Sequence, residues 1–459
     1  MRLYRTAFAI LLFVGCQLSI VSSARAGEGD RDRSSFSWHK FGAAELCQSS
    51  PQVGRVWRSD FDQGWFRSGG SELTIDGGVA ARHGAWQGLL KWRGRAGEHL
   101  PARGLLREAW LSWRWRNLSL RAGRGYFNWT PQPETAILFS QNARPMDHLL
   151  VRLTDLPLPL LGGFLEAENL VGYLDDRYRA IPFPMMWGMR LSWQATDWLG
   201  LEAQRSIMLG GGGRTEKFTF GDLWDIFLGQ GEAHMIETES GLQYGHADTD
   251  QKFAWLLRLH PEAWVRQRLG IEDLEICVIY GGEDRFEGLV PMAPSRGYAI
   301  RAHPFSELAI SYVDLGNRDD SNHWYFHKIY RSGYTYRGSI IGHPMGGEAQ
   351  TWRLALFYSP QSSDRFFFGR VIRESHGPTG DWVDQPENRS GGGFYRYEMG
   401  VSMPLGKSRV YIVAGADDPW GEDRVLDRLA NGYTRLGIEV WGARLGGKLG
   451  AEEVWGVWP

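Results

Sequence analysis

The strongest constraint on the fold is a two-residue alternation of polarity that recurs through most of the chain. In "EAWLSWRWRNLSLRAGRG", Ala109, Leu111, Trp113 and Trp115 fall on one face and Glu108, Ser112, Arg114 and Arg116 on the other, with Trp110 the exception on the polar side. The chain turns at Asn117, and Leu118, Leu120 and Ala122 then alternate with Ser119 and Arg121. Successive strand side chains point to opposite faces, so this reads as a hairpin with one apolar and one polar side. A second hairpin sets Met189, Leu191 and Trp193 against Arg190, Ser192 and Gln194, turns through Thr196 and Asp197, and sets Leu199, Leu201 and Ala203 against Glu202 and Gln204. A soluble sandwich buries such an apolar face and a membrane barrel turns it to lipid; alternation alone does not separate them.

Export and composition favour the barrel. The chain opens MRLYRTAFAILLFVGCQLSIVSSARA, where Arg2 and Arg5 precede an apolar run and Ala24-Arg25-Ala26 supplies small residues for cleavage, so residues 1–26 read as a secretory signal. A lipoprotein reading would acylate Cys16, but Phe13 and Val14 suit that chemistry poorly and apolar sequence continues beyond it. Cys47 and Cys277 then allow one bridge at most, and nothing in the sequence pairs them. No later run reaches the roughly 18 apolar residues of a membrane helix. The 59 glycines in 459 residues exceed the usual share of about 7%. Tight turns use glycine, and interfacial girdles use aromatics such as the 22 Trp, 17 Tyr and 22 Phe present here. A net charge of −2 gives no reason to expect nucleic acid as a partner.

The expected organisation is a signal peptide (1–26), a short periplasmic segment (27–70) in which "FGAAELCQS" reads as one short helix, and a barrel over 71–459. Further candidate strands are 255–259, 275–280, 298–302, 308–313, 351–358, 365–373, 395–403, 409–414 and 434–445. At roughly 20 to 25 residues per strand and connection, the barrel region holds about 16 to 18 antiparallel strands. In "TEKFTFGDLWDIFLGQGE", Phe220, Leu223, Trp224 and Phe227 recur at helical spacing, so that helix sits on or inside the barrel. The fold class these observations favour is all-β, a transmembrane outer-membrane barrel in a Gram-negative bacterium.

Four separated stretches carry a resemblance. "GYTYRGSIIGHPMGG" is similar to the tyrosine-arginine-glycine, then isoleucine-glycine-histidine signature of the Wzi-type capsule assembly proteins. "RGYFNWTPQPETAILFSQNARPMDHLLV", "FTFGDLWDIFLGQGE" and "YGGEDRFEGLVPMAPSRGYAIRA" resemble, in the same order, that family's early loop, helical insertion and acidic loop, so the likeness runs from about residue 104 to about 415. The resemblance implies a barrel of about 18 strands closed by its own loops and an inner helix, acting as a lectin for group 1 type capsular polysaccharide, with no catalytic activity. The expected partners are capsular or extracellular polysaccharide, outer-membrane lipids and the polysaccharide export machinery. Two features depart from the family pattern: the region before the barrel is short for a periplasmic helical bundle, and the chain ends "AEEVWGVWP", where Pro459 cannot donate a ladder hydrogen bond.

Sugar recognition needs flat aromatic faces and fixed polar groups, and acidic sugars also need cations, for which the planar fork of arginine is suited. The candidates on loops or lumen-facing positions are Arg144, Arg205, Arg337, Asn142 and His343 as donors, with Trp129, Tyr334 and Tyr336 as platforms. Arg337 and Arg144 could equally pair with carboxylates to stiffen a plug. Gly338, Gly342, Gly346 and Gly347 with Pro344 make a constrained loop, in which His343 contacts a ligand, titrates, or holds the loop by a hydrogen bond. Ser339 with His343, and Ser375 with His376, are raw material for a hydrolase, but the chain has no GxSxG and no HExxH. The acids in "YGGEDRF" and "GADDPWGEDR" do not match a calcium loop, and Gly210 to Gly213 lacks the ending of a phosphate loop, so no metal and no cofactor are expected. The competing function is an open porin or export channel, distinguished by its conductance.

Overall fold

A computed structural model describes residues 36–441 apart from several intervening segments, the longest being 50–55, 58–66, 214–218, 228–234, 316–323, 377–391 and 422–431. The signal region, Cys16 and the Trp458–Pro459 end lie outside the described residues. Among those described, one antiparallel sheet of 18 strands dominates. It runs β1 (Phe36–Ser49), β2 (Gly70–His83), β3 (Trp86–Gly97), β4 (Leu100–Trp115), β5 (Leu118–Gly125) and β6 (Met146–Pro157). It continues through β7 (Phe164–Tyr173), β8 (Met185–Thr196), β9 (Leu199–Leu209), β10 (Asp250–Leu259), β11 (Leu274–Glu283) and β12 (Ser295–Ala302). The last third is β13 (Glu307–Asp314), β14 (Ala349–Tyr358), β15 (Phe366–His376), β16 (Gly392–Leu405), β17 (Ser408–Gly421) and β18 (Gly432–Trp441). Each strand pairs with its sequence neighbour, and β1 bonds to β2 on one side and β18 on the other, Phe41 facing both Gly78 and Trp441. The ring is thereby closed, which leaves no open edge.

The polarity of the wall is inverted relative to a soluble protein. Along β14, Thr351 and Arg353 are buried while Trp352, Leu354 and Leu356 are exposed, Trp352 by 50%. The same inversion sets exposed Leu191 and Leu201 against buried Ser192 and Glu202 on β8 and β9, and exposed Leu73 and Ile75 against buried Glu72 and Thr74 on β2. No water-soluble fold gains from that arrangement, whereas a barrel in lipid does. The inward charges satisfy one another. Arg93 grips Asp76 with two bonds of 2.8 and 2.7 Å, Arg95 reaches Glu72 at 2.8 Å, and Arg190 bonds Glu168 at 2.9 Å and Glu202 at 2.7 Å. Arg370 likewise meets Glu398.

The connections differ between the two ends. Links such as 84–85, 116–117 and 197–198 are tight turns, whereas 126–145, 174–184, 210–249 and 315–348 are long and all leave from the opposite end. Outer-membrane barrels have short periplasmic turns and long external loops, so the long links mark the external end. The principal apolar core is neither between sheets nor under helices. It joins loop residues such as Trp129, Phe139, Tyr325, Tyr334 and Ile341 to lumen-facing Leu170, Met186, Met208 and Leu256, and so plugs the lumen. Cys277, a small residue on β11, is buried in it.

Two expectations need correction. "FGAAELCQS" is not a helix but part of β1, paired along both edges, so a wall strand lies within the segment expected before the barrel. The helix α1 (Phe220–Phe227) does form, capped by Thr219 and Asp222, whose backbone amides are each bonded by the other's side chain at 3.2 and 2.5 Å. It does not close the lumen, however: Leu223 and Ile226 pack on Trp187, Ile207, Leu209, Val171 and Met189, which share the outward face of exposed Leu191 and Leu201. The loops close the lumen, and the helix lies outside the wall. A further helix, α2 (Ala263–Leu269), occupies the β10–β11 turn and stops at Gly270, whose φ of 67° ends it in the left-handed region.

Candidate functional site

The plug is built where the β5–β6 and β13–β14 loops meet. The Ser140 amide donates to the Ile341 carbonyl at 3.0 Å, the Ser140 hydroxyl to the Gly342 carbonyl at 2.6 Å, and the Asn142 amide nitrogen Nδ2 to the Ile340 carbonyl at 2.8 Å. The Tyr325 hydroxyl donates to the Ile137 carbonyl at 2.5 Å and accepts from the His343 amide at 2.7 Å. Residue 342 must be glycine for this approach, since a Cβ there would run into the Tyr325 hydroxyl and lie 2.6 Å from the Ile137 carbonyl oxygen. Tyr325 stacks on Tyr334 with ring centroids 5.5 Å apart and planes 9° from parallel. The Tyr334 hydroxyl shares a hydrogen bond of 2.6 Å with the Ser206 hydroxyl on β9, which pins the plug to the wall. A third loop, between β7 and β8, contributes Arg179, which donates to the Gly333 carbonyl at 2.8 Å and to the Thr335 hydroxyl at 3.0 Å. Burial lowers the Arg179 guanidinium to about 10.

Above this core lies a charged and aromatic rim. Arg337, at φ 50°, bonds Asp175 through Nη2 at 2.8 Å and Nε at 3.2 Å, and its backbone amide donates to Asp176 at 3.0 Å. The Tyr336 hydroxyl also donates to Asp175. From the end of β5, Arg124 makes a two-bond fork of 2.8 and 2.7 Å with Asp147 and approaches Asp175 at 3.5 Å. Burial works to raise the Asp175 carboxyl, but hydrogen bonds from Tyr336 and Arg337 outweigh it and hold the group below the usual range. Burial pushes the Tyr336 hydroxyl up, helped by its bond to Asp175. Burial and the neighbouring Arg337 cation both lower Arg144. Beside them Tyr173 stacks on exposed Phe183 at 6.2 Å and 9°, and Tyr178 stands 83% exposed with the Arg177 guanidinium 4.7 Å above its ring. This places cations fixed by carboxylates next to exposed ring faces, which is the chemistry that binds an acidic sugar.

The residues singled out in the sequence divide between three places. Trp129, Asn142, Tyr334, Tyr336 and His343 are buried in the plug. Trp129 sets its ring edge-on to Phe139 at 4.5 Å, and His343 Nδ1 accepts from the Met345 amide at 3.3 Å, so the histidine holds its own loop. Arg337 and Arg144 reach the rim, Arg337 with its side chain 37% exposed. Arg205 is a correction, since it lies neither in a loop nor in the lumen. It sits on the outward face of β9 opposite Met189 and donates to the C-terminal carbonyls of α1, Ile226 at 2.6 Å and Phe227. Ser339 and His343 form no catalytic pair, because the buried Ser339 hydroxyl has no partner among the described residues. Among those residues no cluster of metal ligands occurs. The reading by sequence missed Arg124, at the end of β5, and also Asp175, Arg177, Tyr178 and Phe183, whose signal was the dense "LDDRYRAIPFP", rich in acids, arginines and rings between two strands.

The family model for capsule assembly protein Wzi matches residues 74–260 and 305–368. Among solved structures, Wzi of Escherichia coli, an outer membrane protein involved in group 1 capsule assembly and a carbohydrate-binding β-barrel, aligns with a TM-score of 0.68 at 18% identity over 87% of this chain and 84% of that one. Pseudomonas aeruginosa OpdL aligns with a TM-score of 0.49 at 11% identity over 90% of this chain and 99% of that one. No curated protein matches the sequence. The matched segments hold more than half of the chain and include all three loops that meet at the plug and rim. This chain belongs to the Wzi family of capsule assembly proteins.

Proposed function

We propose that this protein is an outer-membrane lectin that holds acidic capsular or extracellular polysaccharide at the cell surface, without chemical turnover. The observation that carries the reading is the external rim, where Arg337 and Arg124 meet at Asp175, Arg144 feels the Arg337 charge, and the same β7–β8 loop carries the exposed rings of Tyr178 and Phe183. Arginine forks suit carboxylates and ring faces suit the apolar side of a pyranose. Of the eight residues singled out in the sequence, Arg337 and Arg144 are the ones we assign to ligand contact, with Trp129, Asn142, Tyr334, Tyr336 and His343 supporting the loops beneath. A long polymer repeats its epitope, so weak individual contacts add through multivalency. The outer-membrane lipid holds the barrel, and the export machinery delivers the polymer. Residues 1–26 serve as the cleaved signal for export.

The test is binding of folded protein to the producing strain's own extracellular polysaccharide, with Arg337→Ala alongside. Saturable binding that the variant loses supports the reading. Absence of binding together with stable ion conductance in a planar bilayer replaces it with a channel, although a plug made of three interlocked loops should pass little current.

A further inference from the structure

The β6–β7 connection, residues 158–163, lies within "LPLPLLGGFL", ten residues from Leu156 to Leu165 that carry no charge. It leaves from the end of the tight turns, the periplasmic one, since Leu118 at the start of β5 pairs with Leu153 on β6. There Leu160 is 99% and Leu161 68% exposed. Two leucines left in water forgo the gain that burial of apolar surface brings.

The turn that presents them is tightly framed. The Leu158 amide donates to the Gly163 carbonyl at 3.1 Å and the Gly162 amide to the Leu158 carbonyl at 2.8 Å. Gly162 and Gly163 take φ of 74° and 72°, in the left-handed region, and a Cβ on Gly163 would run into the Gln194 carbonyl. Ahead of the turn, β6 bulges between Leu153 and Leu156. Asn117 fixes that bulge, its Nδ2 donating to the Thr154 and Asp155 carbonyls at 2.8 and 2.9 Å.

The frame leans on the lipid side of the wall. Trp193 shares the outward face of β8 with exposed Leu191 and lies opposite exposed Leu201, and its Nε1 donates to the Gly162 carbonyl at 3.0 Å. That bond joins the turn to the outward belt. In the neighbouring turn, tied to β6 by Asn117, the Arg116 guanidinium stands 5.1 Å above the exposed ring of Trp115. Aromatic rings and snorkelling cations mark the head-group level of a membrane.

We propose that the β6–β7 turn is a membrane hook that carries Leu160 and Leu161 into the phospholipid of the inner leaflet. Continuity with the lipid-facing belt through Trp193 names the occupant, and the uncharged stretch matches acyl chains. The inference is independent of what the rim binds, so loss of polysaccharide binding does not touch it.

The test places p-benzoylphenylalanine at Leu160, and separately at Leu161, of the full chain in phosphatidylethanolamine–phosphatidylglycerol bilayers, which are then irradiated. Lipid adducts should form at the level of a control at Leu201 and several-fold above one at exposed Tyr178. Adduct yield at the Tyr178 level, or cross-linking to a second copy of the chain, would overturn the proposal. In case the photoreactive group disturbs the turn, a second measurement puts a nitroxide on Leu160→Cys in a chain that also carries Cys47→Ser and Cys277→Ala. Oxygen dissolved in the bilayer should relax the label more than a water-soluble nickel chelate does; the reverse order would also overturn the proposal.

Discussion

The Tyr325 hydroxyl donates to the Ile137 carbonyl at 2.5 Å, joining two loops separated by 188 residues in sequence. The same oxygen accepts the His343 amide, so one phenol serves two backbone groups in a buried place. Tyr325→Phe leaves both without that partner, at a cost of about 1–3 kcal/mol for each group left unsatisfied. The expected outcome is a folded barrel with a loosened plug, read as conductance events in a planar bilayer that the unsubstituted protein lacks. Gly342→Ala should act in the same direction because the added carbon occupies the place of that hydroxyl.

Arg337 offers a way to separate binding from stability. It is a non-glycine residue at φ 50°, in a region that costs roughly 1–2 kcal/mol for a side-chain-bearing residue. Its partly exposed ion pair with Asp175 contributes at most about 1 kcal/mol. Arg337→Gly should therefore leave the thermal unfolding midpoint equal or slightly higher while polysaccharide binding falls. A drop in midpoint alongside the loss of binding would assign the arginine a purely structural role.

The pH dependence of the rim has a definite sign. The folded Asp175 carboxyl lies below its ordinary value of 3.8, so its contribution is fully present above that value and is lost as pH falls through the lower, folded one. Binding through the rim should be flat from pH 5 to 8 and fall only in strong acid, and an isothermal titration series checks this. Asp175→Asn should weaken binding across the whole range, because Arg337 and Tyr336 then lose their charged anchor.

The inverted wall makes a prediction that distinguishes it from any soluble fold. Leu354 is exposed on the outward face midway along β14. Leu354→Arg should cost about 2–4 kcal/mol near the bilayer midplane and reduce the heat-modifiable folded fraction in membranes. In a water-soluble protein the same change on an exposed residue would be close to neutral.

The strands were legible because alternation is local, and segments such as 351–358 differ from β14 only at one end. β1 was not, because "FSWHKFGAAELCQS" shows no clean alternation and is fixed by closure onto β18, almost the full chain length away. The helical spacing of Phe220, Leu223, Trp224 and Phe227 announced α1 but said nothing about which side of the wall it takes. That information sat in Arg205, which falls on the apolar face of β9 with Leu199, Leu201 and Ala203. In the site, Tyr334 and His343 carry side chains that suit sugar contact, yet Tyr334 is claimed by the packing of the plug and His343 by the hydrogen bonds of its own loop. The rim residues Asp175 and Arg124 were illegible since their roles arise only when three loops converge.

The plug also orders the events of folding. Each wall strand bonds its sequence neighbour, so hairpins can form as the chain emerges and lengthen the sheet one strand at a time. The ties from Ser140 to Gly342 and from Tyr325 to Ile137 span 202 and 188 residues, and they wait until both loops have been delivered to the same end of the ring. Sealing is consequently a step of its own: until the loop before β14 has been set against the loop after β5, the ties that hold the plug together are not made.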